Sequence, residues 1–167
     1  FTEDAEHHLA ITGGTLVVDA GGDGLDANGS IEISGGTTVV QGPTDAGNAA
    51  LDTDGGLLMS GGVLLAAGSS GMAQAPASSS AQAVLDLGFA SSYDAGTVVH
   101  VTDASGTVVA SYEAGKAFQS IVLSVPSLVA GEAYSVWTGG AVSSATGGLS
   151  FDSVTDGATE IGTLTAS

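Results

Sequence analysis

Positive charge is almost absent from this sequence. One of its 167 residues is basic, Lys116, against 18 acidic ones, and the formal net charge is −17. That balance argues against binding DNA, RNA or an anionic membrane surface without a bridging cation. It fits divalent cations, cell-wall surfaces or a salty medium, and it also keeps a Gly-rich β protein soluble. There is no cysteine, so no disulfide braces the fold and nothing fixes the redox compartment. Three prolines and eight aromatic residues complete the list of scarce types. No apolar run approaches the length of a membrane-spanning helix, and no signal peptide is visible. Stretches free of Gly and β-branched residues are too short for long helices.

Glycine and repetition are abundant. The 27 glycines follow no collagen triplet. Instead, Ile11-Thr12-Gly13-Gly14-Thr15-Leu16-Val17-Val18 restarts as Ile33-Ser34-Gly35-Gly36-Thr37-Thr38-Val39-Val40, 22 residues on, and as Met59-Ser60-Gly61-Gly62-Val63-Leu64-Leu65-Ala66, 26 residues later. The segment Gly24-Leu25-Asp26-Ala27-Asn28-Gly29 returns as Ala50-Leu51-Asp52-Thr53-Asp54-Gly55, and loosely as Gly71-Met72-Ala73. A period of this size in such a composition marks a solenoid. A leucine-rich repeat would need a Leu/Asn ladder, which is missing. Each Gly-Gly pair suits a tight corner, and the alternation after it suits a half-buried strand. Stacked coils of such strands, about 4.8 Å apart, make a parallel β-helix. The coils run over 9–30, 31–56 and 57 to about 75, and the second carries an insertion at 41–48.

Stacking has a chemical consequence. Asp26 and Asp52 hold equivalent repeat positions, so they are expected one coil apart, where two carboxylates repel unless screened. Asp23, Asn28, Asn48 and Asp54 surround the same corner. This oxygen-only set suits Ca²⁺ rather than Zn²⁺. The same residues are also ordinary Asx-turn formers, and both readings stand. His7 and His8 are neighbours that would point to opposite faces of a strand, which disfavours a shared metal.

The segment 68–80 is rich in Ser, Ala and Pro and reads as an end loop or linker. After it the pattern changes. Runs at 83–89, 96–102, 107–112, 118–123 and 134–138 each read as a strand, with Asp103-Ala104-Ser105-Gly106 as a hairpin turn. Seven of the eight aromatics lie here. The expectation is an all-β chain: parallel β-helix coils with their end loop over 1–80, then an antiparallel β-sandwich-like domain over 81–167 that caps the open coil.

The runs 23–31, 33–37, 48–52 and 66–76, followed by Lys116-Ala117-Phe118-Gln119-Ser120-Ile121-Val122 and Tyr134-Ser135-Val136-Trp137-Thr138-Gly139-Gly140, resemble a family of bacterial extracellular proteins described as carbohydrate-binding domain-containing proteins. The likeness covers most of the chain. It implies a secreted or surface-attached right-handed β-helix that binds Ca²⁺ and plant-cell-wall-type polysaccharide, such as cellulose or acidic pectin. Through it, Asp23, Asp26, Asn28 and Asp52 become the metal-side residues. Members of the family carry further coils at the N-terminus. By that likeness this chain, which opens at Phe1 almost directly on a coil, is the C-terminal part of a longer secreted protein.

The function expected is therefore a non-catalytic, calcium-dependent module for cell-wall polysaccharide. An acidic protein holds an acidic glycan only through bridging cations. Sugar binding also wants an aromatic platform. Trp137 and Tyr134 are the candidates; they face opposite ways along one strand, and Trp137 reads as core fill first and platform second. A polysaccharide lyase is disfavoured, because β-elimination needs cationic groups near the developing charge and the chain has no Arg and one Lys. His100 falls mid-strand and reads as structural. The alternative is a structural or adhesive subunit whose exposed coil stacks end to end into a filament. A regular Thr ladder of the kind used to bind ice is missing.

Overall fold

Three Gly-Gly pairs set the geometry of the first half. In the computed structural model, which describes residues 6–167, the second glycine of each pair has positive φ: 81° at Gly14, 82° at Gly36 and 82° at Gly62. The chain bends there and continues as strand, so β1 (His8–Asp19), β2 (Leu25–Ala27) and β3 (Ser30–Gln41) follow one another around a first turn. The second turn supplies β4 (Leu51–Thr53), β5 (Leu57–Met59) and β6 (Val63–Gly68). Equivalent positions pair in parallel. β1 lies on β3 with Ile11 opposite Ile33 and Val18 opposite Val40, β3 lies on β5 and β6, and β2 lies on β4. The corners stack so closely that a Cβ on Gly36 would sit 2.6 Å from the Gly14 carbonyl oxygen. One on Gly62 would sit 2.8 Å from that of Gly36. Only glycine satisfies both the backbone angle and this approach.

The second half contributes β7 (Leu85–Tyr93), β8 (Val98–Thr102), β9 (Val108–Glu113), β10 (Phe118–Ser124), β11 (Ala133–Gly139), β12 (Leu149–Ser150) and β13 (Ala158–Thr165). All described secondary structure is β, and no described residue is helical. The five runs expected as strands after residue 80 coincide with β7 to β11. The hairpin turn stands as expected, with Gly106 at φ 84° and its N–H donating to the Asp103 carbonyl at 2.9 Å. β12 and β13 went unread; the latter, Ala-Thr-Glu-Ile-Gly-Thr-Leu-Thr, has few large apolar residues to announce it.

The sheets are mixed rather than purely parallel, so what holds without qualification is the all-β class. The parallel set is extended by two antiparallel strands, giving the order β1-β3-β6-β10-β7. This sheet crosses residue 80 without interruption, because β10 pairs directly with β6. The second sheet, β12-β9-β8-β11-β13, is antiparallel throughout.

The shared sheet has a core on each side. Val39, Leu65, Ala67, Ile121 and Leu123 pack toward the second sheet with Phe118, Tyr112 and Tyr134. Val40, Leu64, Ala66 and Val122 pack the other way, with Ile31, Ile33, Leu51 and Met59. The alternation expected after each Gly-Gly pair therefore fails in β6, whose Leu64–Gly68 are all buried. A strand covered on both faces reads as a continuous apolar run. β1 is the exception. Its pattern is largely exposed, and among the described residues no strand pairs with its outer edge and nothing lies within 4 Å of a Cβ built on Gly13 or Gly14.

Candidate functional site

The acidic corner is built by a short parallel ladder of three residue pairs. β2 and β4 pair Leu25 with Leu51, Asp26 with Asp52, and Ala27 with Thr53. Leu25 and Leu51 are buried, so the alternation of a strand turns both aspartates outward. The Gly24 and Leu25 N–H groups extend the ladder by donating to the carbonyls of Ala49 and Ala50, both at 3.0 Å. Neighbouring strands lie about 4.8 Å apart, so the two aspartates leave adjacent backbones at register positions.

Asp26 is exposed and Asp52 half-buried. Burial pushes the Asp52 carboxyl above the ordinary carboxylate value, and the negative charges of Asp23, Asp26 and Asp54 push it the same way. A hydrogen bond from Gln74 Nε2 to Asp52 Oδ1, 2.9 Å, works in the opposite direction. Asp23 is partly committed: its Oδ1 accepts the Ala49 N–H at 2.7 Å. Asp54 is exposed, and its backbone N–H reaches the Ala27 carbonyl at 3.3 Å. Asn48 stands over the same corner with its carbonyl accepting Ser69 Oγ–H at 2.9 Å. Asn28 is exposed and borders an open cleft of about 460 Å³ with Asp26, His7 and His8. His8 Nδ1 lies 3.1 Å from Ser30 Oγ.

The structure brings Asp23, Asp26 and Asp54 near enough to Asp52 for their charges to act on it, while Asn28 is placed beside Asp26. Among the described residues, however, no three His, Asp or Glu side chains close around a common point as ligands to an ion. The oxygen donors form an open ridge rather than a cage. Oxygen donors of this kind are the type that hard cations take.

Gln74 was not foreseen. Its Oε1 accepts the Thr53 N–H at 3.2 Å while its Nε2 holds Asp52. One side-chain amide thereby covers the free edge of β4, where a third coil would otherwise pair. The signal was available: Gln74 follows Gly71-Met72-Ala73, the weak third copy of the repeat. Ala73 stands where a third aspartate would continue the ridge.

The aromatic candidates separate. Tyr134 is 4% exposed and packs in the core between the sheets, its hydroxyl accepting the Val129 N–H at 2.9 Å. As a sugar platform it is corrected: a ring buried between two sheets offers no face. Trp137 lies on the opposite side of β11, half-buried, and its Nε1–H donates to Thr102 Oγ1 at 3.0 Å. The core role expected first for Trp137 is taken by Tyr134 and Val136.

His100 is fully buried opposite Trp137. Its Nε2 lies 3.0 Å from the Gly139 carbonyl oxygen, which only accepts, so a neutral ring carries its proton on Nε2. Nδ1 then accepts from Ser111 Oγ, 2.7 Å away. Ser111 is 1% exposed and sealed from any substrate. The pair is a structural bolt. Lys116 is engaged as well: Nζ forms an ion pair with Asp19 and donates to the Ala20 carbonyl at 2.6 Å.

Comparison with protein-family models, with curated proteins and with solved structures finds no match.

Proposed function

We propose that this protein is a non-catalytic, extracellular or cell-surface module that binds cell-wall polysaccharide through Ca²⁺, built on the end of a right-handed parallel β-helix. The resemblance described above supplies the ligand class. The observation that carries the proposal is the register of Asp26 on Asp52. Two outward carboxylates one strand apart, with Asp23 and Asp54 beside them, form a negative ridge, and the chain's one Lys/Arg side chain, Lys116, is engaged with Asp19 instead. Such a ridge is relieved by a divalent ion, and an ion held from one side keeps coordination sites open for the carboxylates or hydroxyls of an acidic glycan. Asp23, Asp26, Asn28, Asn48, Asp52 and Asp54 would hold the metal. Trp137, half-buried on the outer face of β11, is the aromatic surface proposed for a sugar ring elsewhere on the molecule. The single lysine, tied to Asp19, does not stand ready to stabilise the charge a lyase develops.

The test is retention on immobilised polygalacturonate with Ca²⁺ and with EGTA, using the wild type and the Asp26→Asn/Asp52→Asn variant. Retention that needs Ca²⁺ and is lost in the variant supports the proposal. Retention indifferent to EGTA removes it.

The open edge of β1 favours a second reading. Among the described residues no strand pairs with that edge and nothing covers the corner at Gly13 and Gly14, so both offer a template for another coil, as in a filament or adhesive stack. Light scattering that rises with Ca²⁺ is the expected sign; a monomer at every salt and Ca²⁺ concentration removes this reading.

A further inference from the structure

The two ends of the coiled half differ. On the second turn, β6 is covered by β10, and Gln74 takes the Thr53 N–H of β4. On β5, the Leu57 carbonyl accepts the Ala77 N–H at 2.8 Å, and the Met59 N–H donates to Ser80 Oγ at 3.0 Å. That end is closed to a further coil. At the other end, among the described residues, no strand pairs with the outer edge of β1 or of β2. Two copies of this chain therefore cannot stack head to tail through their coils. They can meet open end to open end, and a two-fold axis then runs β1 antiparallel to itself.

The sequence of β1 suits that match. Its 12 residues bend at Gly13 and Gly14, the sixth and seventh. Folding the strand about that centre sets Thr12 against Thr15, Ile11 against Leu16, Leu9 against Val18 and His8 against Asp19. The faces agree as well. Leu9 and Ile11 pack on the coil core before the corner, and Val18 packs on it after, with Leu16 two residues away on the same face. The corner shifts the inward positions from odd to even, so inward meets inward. At the rim, His8 and Asp19 are exposed. His8 Nδ1 lies beside Ser30 Oγ, which leaves Nε2; Asp19 Oδ1 is paired with Lys116, which leaves Oδ2. Under the two-fold this imidazole and carboxylate meet twice.

Gly13 gives a second observation. Its φ is not left-handed, and a Cβ built on it meets nothing within 4 Å. Its equivalents Gly35 and Gly61 are glycine because the preceding coil comes close. A Cβ on them would lie 2.5 Å from the Thr12 carbonyl oxygen and 2.6 Å from that of Ser34. No described residue makes the same demand at Gly13, and a second corner packed on it does.

We infer that β1 is the interface of a closed two-fold dimer of this chain, paired antiparallel with its copy about Gly13 and Gly14. The inference rests on the second reading above, the open β1 edge, and limits that stack to two copies. β1 against β1 also leaves β2 against β2, which brings Asp23 and Asp26 of each copy toward those of the other. A divalent ion relieves that repulsion, so Ca²⁺ tightens the pair.

The experiment is sedimentation equilibrium of the whole chain over a concentration series at about 0.15 M NaCl, in Ca²⁺ and in EGTA. A monomer–dimer equilibrium with no larger species is expected, about tenfold tighter in Ca²⁺. Gly13→Val should abolish the dimer and leave the circular dichroism and the melting temperature of the monomer unchanged, because the monomer has room for the side chain. His8→Asp and Asp19→His should each weaken self-association about tenfold, since each sets two mismatched pairs across the axis. Mixed together, the two variants should regain the wild-type affinity, because each corrects the other across the two-fold. A monomer in both solutions overturns the dimer and argues against any stack. Assemblies that keep growing overturn the dimer and leave the open-edge reading in place. A dimer unmoved by Gly13→Val, or a mixture no tighter than either variant alone, overturns the β1 interface. A dimer equally tight in Ca²⁺ and in EGTA upholds the interface and counts instead against an ion at the ridge.

Discussion

Asp26 and Asp52 are register partners on adjacent parallel strands, and both side chains leave the same face. Two unit charges about 5 Å apart repel by roughly 1 kcal/mol in water and more where solvent is reduced. Asp52→Asn keeps an oxygen for Gln74 and removes the charge. Without divalent cations it should raise stability by about 1 kcal/mol. With Ca²⁺ the order should reverse, because the wild type gains an ion and the variant gains less. Thermal melts of both proteins with Ca²⁺ and with EGTA check this. Equal Ca²⁺ responses would show that the ridge does not hold the ion.

The pH dependence follows from the same corner. Asp52 and Asp86 have carboxyls raised above the ordinary value of 3.8, so the folded state binds their protons more tightly than the unfolded chain. Stability then falls as pH rises through the window just above 3.8, and acidification into that window stabilises the fold. Asp103 acts oppositely. Hydrogen bonds from Ser105 and Thr107 hold its carboxyl low, so its contribution is lost only as pH falls below 3.8. In EGTA, melting temperature should therefore rise on mild acidification and drop only in stronger acid. Asp52→Asn should flatten the rise; a curve that falls monotonically from neutral pH would contradict the shifts.

The glycine corners differ in what they touch. Gly14 has positive φ and empty space above it, whereas Gly36 has the same φ and lies under the Gly14 carbonyl. Gly14→Ala should cost roughly 1–2 kcal/mol, from the left-handed backbone alone. Gly36→Ala adds a backbone clash and should cost roughly 3–5 kcal/mol. Chemical denaturation of the two variants measures the difference. Equal losses would mean that the coils are not stacked at this corner.

The parallel pairings were legible because the repeats name their own partners. Ile11, Ile33 and Met59 head equivalent segments, and the register of Asp26 on Asp52 follows from counting. What surrounds the repeats was not legible. Val39-Val40 and Leu64-Leu65-Ala66-Ala67 are apolar without alternation because β10, β7 and the second sheet cover the face that a free coil would leave wet. A local pattern cannot announce a partner 50 residues away, such as Ile121 on Ala67. Gln74 escaped because its role is to end the repeat rather than continue it. Tyr134 and Trp137 were separated correctly into opposite faces, but which face was inside depended on the neighbouring sheet.

Gln74 offers a sharper test of how the second coil ends. Its amide satisfies the Thr53 N–H, on a buried residue, and steadies Asp52. Gln74→Ala should cost about 1–3 kcal/mol, the range for leaving a buried donor unsatisfied. Gln74→Glu keeps an acceptor for Thr53 but sets a fifth carboxylate beside the ridge. It should be less stable than the wild type in EGTA and gain more from Ca²⁺. Melting curves separate the outcomes; a Gln74→Glu protein indifferent to Ca²⁺ would detach this residue from the ridge.

Because one sheet carries a core on each face, the two halves are expected to unfold together. Leu64 packs in the core with Ile31, Ile33, Leu51 and Met59 and Leu65 in the core between the two sheets, although they are neighbours in sequence. Each Leu→Ala change should cost about 2–5 kcal/mol. If the shared sheet couples the halves, both substitutions lower a single cooperative transition, whether followed by Trp137 fluorescence in the second half or by hydrogen exchange at Ile31 and Ile33 in the first. If the halves were independent, Leu64→Ala would release the exchange of Ile31 and Ile33 and leave the Trp137 transition in place. The antiparallel pairing of β10 on β6, five residue pairs from Gly68–Ser120 to Leu64–Ser124, argues for the coupled result.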